Sequence, residues 1–110
     1  IMNILIGDYH VNKRIWTTEV GWLRDFMQND PPCTNLLLFF GGFQNSDQEQ
    51  ANQLVDAFQY AREHWPWSGA MFVFNLDFNR RPQDPCADEQ GWFAVQGFPA
   101  EQALETMEKP

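Results

Sequence analysis

The residue best suited to chemistry is Glu19, in the run Ile15-Trp-Thr-Thr-Glu-Val-Gly-Trp22. A carboxylate is a nucleophile, a general base or an ion-pair member according to its surroundings. Glu19 ends a short segment of β-branched and aromatic residues and stands just before Gly21, where a strand would give way to a turn. Strand ends and the loops that follow them are where α/β active sites are built. Trp16 and Trp22 flank the carboxylate and offer flat apolar faces. Sugars present C–H faces that stack on such rings, while carboxylates and amides bind their hydroxyls. Phe74 and Asn75 end a second apolar run and add a ring and an amide. The plainer alternative is that Glu19 is a solvated strand-end carboxylate or one half of a structural ion pair.

Other chemistries find little support. His10 and His64 are far apart and show no ligand spacing. Cys33 and Cys86 lack a CxxC partner and carry no zinc signature. Asp77, Asp84, Asp88 and Glu89 form an acidic stretch without EF-hand spacing. Gly41-Gly42 is too little for a phosphate cradle. No metal and no cofactor are expected. The two cysteines lie in Pro-rich polar loops, so they form one bridge in an exported or cell-surface protein or remain two free thiols.

Composition bounds the partners. The 110 residues carry 7 basic and 15 acidic side chains, a net charge of −8. Nucleic acid and anionic membrane surfaces both call for clustered Lys and Arg, and neither is an expected partner. No apolar stretch reaches membrane-spanning length. A hydrophobic fraction of 44% with 15% aromatic residues indicates a folded chain with a real core.

The elements that would hold Glu19 alternate. Residues 1–7 read as the end of a helix whose start lies upstream, with Gly7 as its stop. Residues 14–19 read as a strand. Residues 23–45 are long for a connection, contain Pro31-Pro32 and Gly41-Gly42, and have no assignable conformation. Ser46 and Glu49 form a capping box, and Ala51, Leu54, Val55, Phe58, Ala61 and Trp65 recur at helical spacing, which predicts a helix over 46–65. Residues 70–76 are almost continuously apolar, as in a strand buried on both faces. A polar loop over 79–90 follows, then a short terminal helix over 99–108. This order predicts a parallel α/β architecture within one segment, residues 1–110. Two parallel strands need neighbours, so exposed strand edges and self-association are expected.

The stretch Lys13-Arg-Ile-Trp-Thr-Thr-Glu-Val-Gly-Trp22 resembles the seventh-strand motif of clan-A retaining glycoside hydrolases, which ends in Thr-Glu-x-Gly. Trp65-Pro-Trp-Ser-Gly-Ala-Met-Phe-Val-Phe-Asn-Leu76 is similar to the turn into their eighth strand and the strand itself. Gly91-Trp92-Phe93 and Ala103-Leu-Glu-Thr-Met107 extend the likeness to almost the whole chain. The nearest resemblance is to bacterial proteins related to glycoside hydrolase families 39 and 5. It implies a partial TIM (β/α)₈ barrel, strand seven through helix eight, acting on a carbohydrate substrate. It also implies that Glu19 is the nucleophile of a double displacement, with Trp16, Trp22, Phe74 and Asn75 as substrate-binding residues. The acid/base residue of such a pair sits in an Asn-Glu dipeptide, which this sequence lacks. The 110 residues are therefore expected to hold one half of a catalytic pair and not to hydrolyse glycosides alone. A non-catalytic carbohydrate-binding or oligomer-forming segment is the alternative.

Overall fold

A computed structural model of the chain describes residues 7–10, 12–77 and 84–109. The expected helix end over residues 1–6 and part of the polar loop, residues 79–83, lie outside them. Residues 7–9 are helical, and the helical stretch ends at His10, whose φ is +54°. The stop expected at Gly7 thus comes three residues later, on a residue type that tolerates the left-handed conformation.

Two strands and one long helix form the frame. Strand β1 (Ile15–Val20) pairs in parallel with β2 (Ser68–Val73), and the long helix connects them. The partners are Ile15 with Ser68, Thr17 with Met71 and Val20 with Val73. The intervals differ, so β2 carries one extra residue before Met71 and β1 one extra residue before Val20. Such bulges bend and twist a strand locally.

The expectation of a partial (β/α)₈ barrel is not met. The described residues hold a two-stranded sheet and a single β–α–β unit, with no repeat of strand and helix. The physical cause lies in the other apolar segments. Leu36 to Phe40, a run of strand length, forms a 3-10 turn (Thr34–Leu36) and a short helix, α1 (Leu37–Phe40). Beyond Phe74, whose amide still bonds the Val20 carbonyl, the chain turns to the segment over residues 93–96. The Asn75 and Leu76 carbonyls accept from the Val95 and Gln96 amides at 3.1 and 3.0 Å. The apolar run therefore continues to Leu76, but the strand stops at Val73.

Helix α2 (Asp47–His64) forms where local signals coincide. The Ser46 hydroxyl accepts from the Glu49 amide at 3.0 Å, and the Glu49 carboxylate accepts from the Ser46 amide at 2.7 Å. Asp47 and Glu49 in the first turn and Arg62 and His64 in the last complement the helix dipole. Gln50, Ala51, Leu54 and Ala61 form its buried face. A terminal helix, α3 (Pro99–Thr106), begins on a proline whose missing N–H is not needed there.

The core has two parts. Ala51, Leu54, Val95 and Ala100 pack where α2 meets α3, with Trp22, Val73, Ala103 and Leu104 around them. Leu23, Phe26, Cys33, Leu36 and Trp92 form a second cluster inside the long connection after β1. Fully burying a side chain such as Phe26 or Leu54 contributes roughly 1.5–3 kcal/mol. The radius of gyration is 16.4 Å, whereas a compact chain of this length has about 13 Å.

A disulfide between Cys33 and Cys86 closes the second cluster, with a Cα separation of 5.0 Å. Cys33 is fully buried and Cys86 partly so, and the bridge packs against the cluster. It spans 53 positions of sequence. On the chain-entropy account, closing a loop of that length contributes about 4 kcal/mol. Reduction, or the double substitution of both cysteines by serine, is expected to lower stability by an amount of that order. Thermal melts with and without reductant measure it, and a melting temperature indifferent to reductant would sink this account.

Candidate functional site

Parallel pairing brings the ends of β1 and β2 to one edge of the molecule. Val20 stands beside Val73, and the Phe74 amide donates to the Val20 carbonyl at 2.8 Å. Glu19, Phe74 and Asn75 thus belong to the same strand-end region. Glu19 is exposed, and its side chain makes no hydrogen bond or ion pair with another described residue. Phe74 is half-buried and meets Phe93 edge-on, with ring centroids 5.5 Å apart. The Asn75 side-chain amide donates to the Gln90 carbonyl at 2.9 Å. The Phe74–Asn75 peptide bond is cis.

The two tryptophans flanking Glu19 go to different places. Trp22 is half-buried and packs on the cluster of Ala51, Leu54, Val95 and Ala100. Trp16 lies nearer the other end of β1, 64% exposed, tilted against Phe72 at 6.0 Å. It covers Gly69, where a Cβ would come within 2.6 Å of its indole ring. The structure therefore brings Glu19, Phe74 and Asn75 to one strand end, packs Trp22 beneath it and leaves Trp16 apart.

Gly21 explains the tight turn after Glu19. A Cβ there would lie 2.2 Å from the Phe74 carbonyl oxygen, a backbone atom that cannot swing aside. Glycine is required here for close approach of two chain segments.

Two buried polar residues hold this end together. Gln50 on α2 is fully buried, and its Nε2 donates to the carbonyls of Trp22, Phe93 and Ala94 at 3.1, 3.2 and 3.4 Å. Arg24 is 5% exposed and sits between Trp92 and Phe98, with its guanidinium carbon 5.1 and 3.4 Å from the ring centroids. It donates to the Gly91 carbonyl at 3.2 Å and lies 3.7 Å from the Asp47 carboxylate. Desolvation by burial lowers its pKa from the ordinary arginine value, and Asp47 opposes that shift. Sequence reasoning passed over both residues. Gln50 had a signal, since it lies four positions before Leu54 on the apolar face. Arg24 had none, because its partners are remote in sequence.

Tyr60, His64, Trp65 and Trp67 form an aromatic group at the far end of α2 and the start of β2, with the two indoles stacked at 5.1 Å. A groove of about 530 Å³ lies between α2 and α3, lined by Asn52, Val55, Asp56, Gln59, Ala103 and Met107 among others. None of the residues expected to bind substrate lines it. Among the described residues no three His, Cys, Asp or Glu side chains cluster so as to hold a metal ion, and no helix is long and apolar enough to cross a membrane.

Two substitutions probe this arrangement. Gly21→Ala forces backbone apart and is expected to destabilise the fold by about 1–3 kcal/mol in urea titration. Gln50→Leu keeps the volume but removes the amide donor that the Trp22 and Ala94 carbonyls share with Phe93, at about 1–3 kcal/mol. If both variants unfold at the parent's urea midpoint, neither contact matters as described. Comparison with protein-family models, with curated proteins and with solved structures returned no match, so the motif around Glu19 and the geometry of its strand end are what a functional reading rests on.

Proposed function

We propose that this chain supplies the nucleophile of a retaining β-glycosidase site, with Glu19 as that nucleophile and the acid/base carboxyl group coming from outside the chain. The observation that carries this reading is the parallel register. It supports a shared strand-end surface on which a carboxylate, an aromatic ring and an amide occur together. The resemblance of residues 13–22 and 65–76 to a known glycosidase motif points the same way.

The chemistry would run in two steps. The Glu19 carboxylate attacks the anomeric carbon, and the bond to the leaving oxygen breaks as the glycosyl-enzyme ester forms. The second carboxyl group protonates that oxygen and then, as a base, activates water to cleave the ester. In a retaining pair the carboxyl groups stand about 5–5.5 Å apart. Exposure of Glu19 favours a second reading, sugar binding without bond cleavage.

An activated leaving group separates the two readings. Dinitrophenolate departs without protonation, so the first step needs only the nucleophile. Incubation with dinitrophenyl 2-deoxy-2-fluoro-β-glycosides is expected to add one sugar mass to the peptide containing Glu19. Glu19→Gln is expected to abolish the label, and unactivated alkyl glycosides should remain intact. Saturable sugar binding without any label would mean a binding surface and no nucleophile.

A further inference from the structure

The connection after β1 carries an apolar tip at α1 and the turn that follows it. Leu38 is 81%, Phe39 76% and Phe43 67% exposed. An exposed cluster of large apolar side chains marks a contact with a protein, a ligand or a membrane.

The tip is held out from the body by an anchored base. Leu36 is buried in the second core cluster and Phe40 packs against it, so the inward positions of the same turn are filled. The Cys33–Cys86 bridge fixes the chain just before the tip. Just after it, Asn45 donates to the Leu23 carbonyl from its backbone amide at 2.9 Å and from its side-chain amide at 3.0 Å. The tip also satisfies its own backbone donors. The Gly41 and Phe43 amides donate to the Leu37 and Phe40 carbonyls at 3.0 and 3.1 Å, and the Gly42 amide donates to the Gln44 side-chain oxygen at 2.6 Å. A turn bonded in this way loses little when it leaves water.

Charge and composition select the partner. Residues 31–46 carry no charged side chain, although 20% of the chain is charged. Beside the base, the Cys86 carbonyl accepts from the Asn35 side-chain amide at 2.7 Å, and Asp84 and Asp88 stand exposed on either side of Cys86. Carboxylates next to an uncharged tip are repelled by anionic lipid and suit a zwitterionic surface, whose outermost group is an ammonium. Anionic lipid belongs to the cytoplasmic leaflet, whereas disulfides persist in oxidising compartments. Protein hot spots are rich in Trp, Tyr and Arg and poor in Leu. The tip offers Leu and Phe and none of those three, and such residues seat at the boundary of headgroups and acyl chains.

We propose that Leu38, Phe39 and Phe43 insert into a zwitterionic lipid surface and attach the chain to it without spanning it. The inference is independent of the glycosidase reading, and its test reads binding and not hydrolysis. Co-sedimentation of the intact, disulfide-bonded chain with phosphatidylcholine vesicles is expected to show a bound fraction that rises with lipid up to millimolar concentrations. Leu38→Ser, Phe39→Ser and Phe43→Ser should each lower the partition coefficient roughly tenfold. Leu76→Ser, at a comparably exposed apolar residue outside the tip, should leave it unchanged. Circular dichroism keeps misfolding of any variant distinguishable. Phe39→Trp adds a second readout, since lipids brominated on the acyl chain should quench more fluorescence in that variant than in the parent. Absence of vesicle binding overturns the proposal, and so does binding that requires anionic lipid or is indifferent to the three serine substitutions. Self-association that those substitutions abolish, without vesicle binding, overturns it in favour of a second copy on the tip.

Discussion

The strand-end region depends on one amide. Gln50 projects from α2 into a fully buried position and donates to three carbonyls from two separate connections. Trp22 belongs to the segment leaving β1, and Phe93 and Ala94 to the segment that returns beside Asn75. Buried carbonyls without donors are costly, and of these three only Phe93 also accepts from a backbone amide, that of Asn75. Gln50 therefore ties the helix to the turn after Glu19 and to the 3-10 turn Gln90–Phe93, which the Arg24 amide also joins through the Trp92 carbonyl at 2.9 Å. Arg24 reinforces the same junction from the other side, with two aromatic faces, one carbonyl and Asp47 around its guanidinium. A polar pair takes the place that hydrophobic packing would fill in a larger core.

This arrangement bears on the chemistry proposed for Glu19. A nucleophile is useful only when its approach to the substrate is repeatable. Glu19 itself has no side-chain partner among the described residues, so its position is inherited from backbone. Pairing of Val20 with Val73, the contact at Gly21 and the Gln50 amide are what supply that rigidity. Phe74 and Asn75 are held by the returning segment through Phe93 and Gln90. Precision here comes from the scaffold beneath the site.

What could be read from the sequence follows the range of the interactions involved. Helix α2 was legible because its capping box and apolar spacing are local. Strand β1 was legible from its β-branched and aromatic content. The end of β2 was not, since Phe74 to Leu76 are as apolar as the strand and differ only in bonding to residues 93–96. The connection over 23–45 was opaque for a similar reason: Leu23, Phe26 and Leu36 are organised by Trp92 and Cys86, far along the chain. The same limit misled the reading of architecture. A strand motif and a buried run suggested a barrel, whereas the described residues close only one β–α–β unit. Glu19, Phe74 and Asn75 were found as candidates by residue type, but Trp16 and Trp22 looked equivalent beside Glu19 and only tertiary packing separates them.

The disulfide has a topological meaning beyond its contribution to stability. Cys33 lies in the connection leaving β1 and Cys86 in the segment after β2, so the covalent loop encloses α1, α2 and β2. A protease that cuts once anywhere inside that loop severs the backbone without dividing the molecule. The two halves remain tethered at the base of the strand-end region, with Glu19 on one and Asn75 on the same or the other according to the cut. Cleavage would thus leave one disulfide-linked molecule, heavier by a single water, and only reduction would part its two pieces.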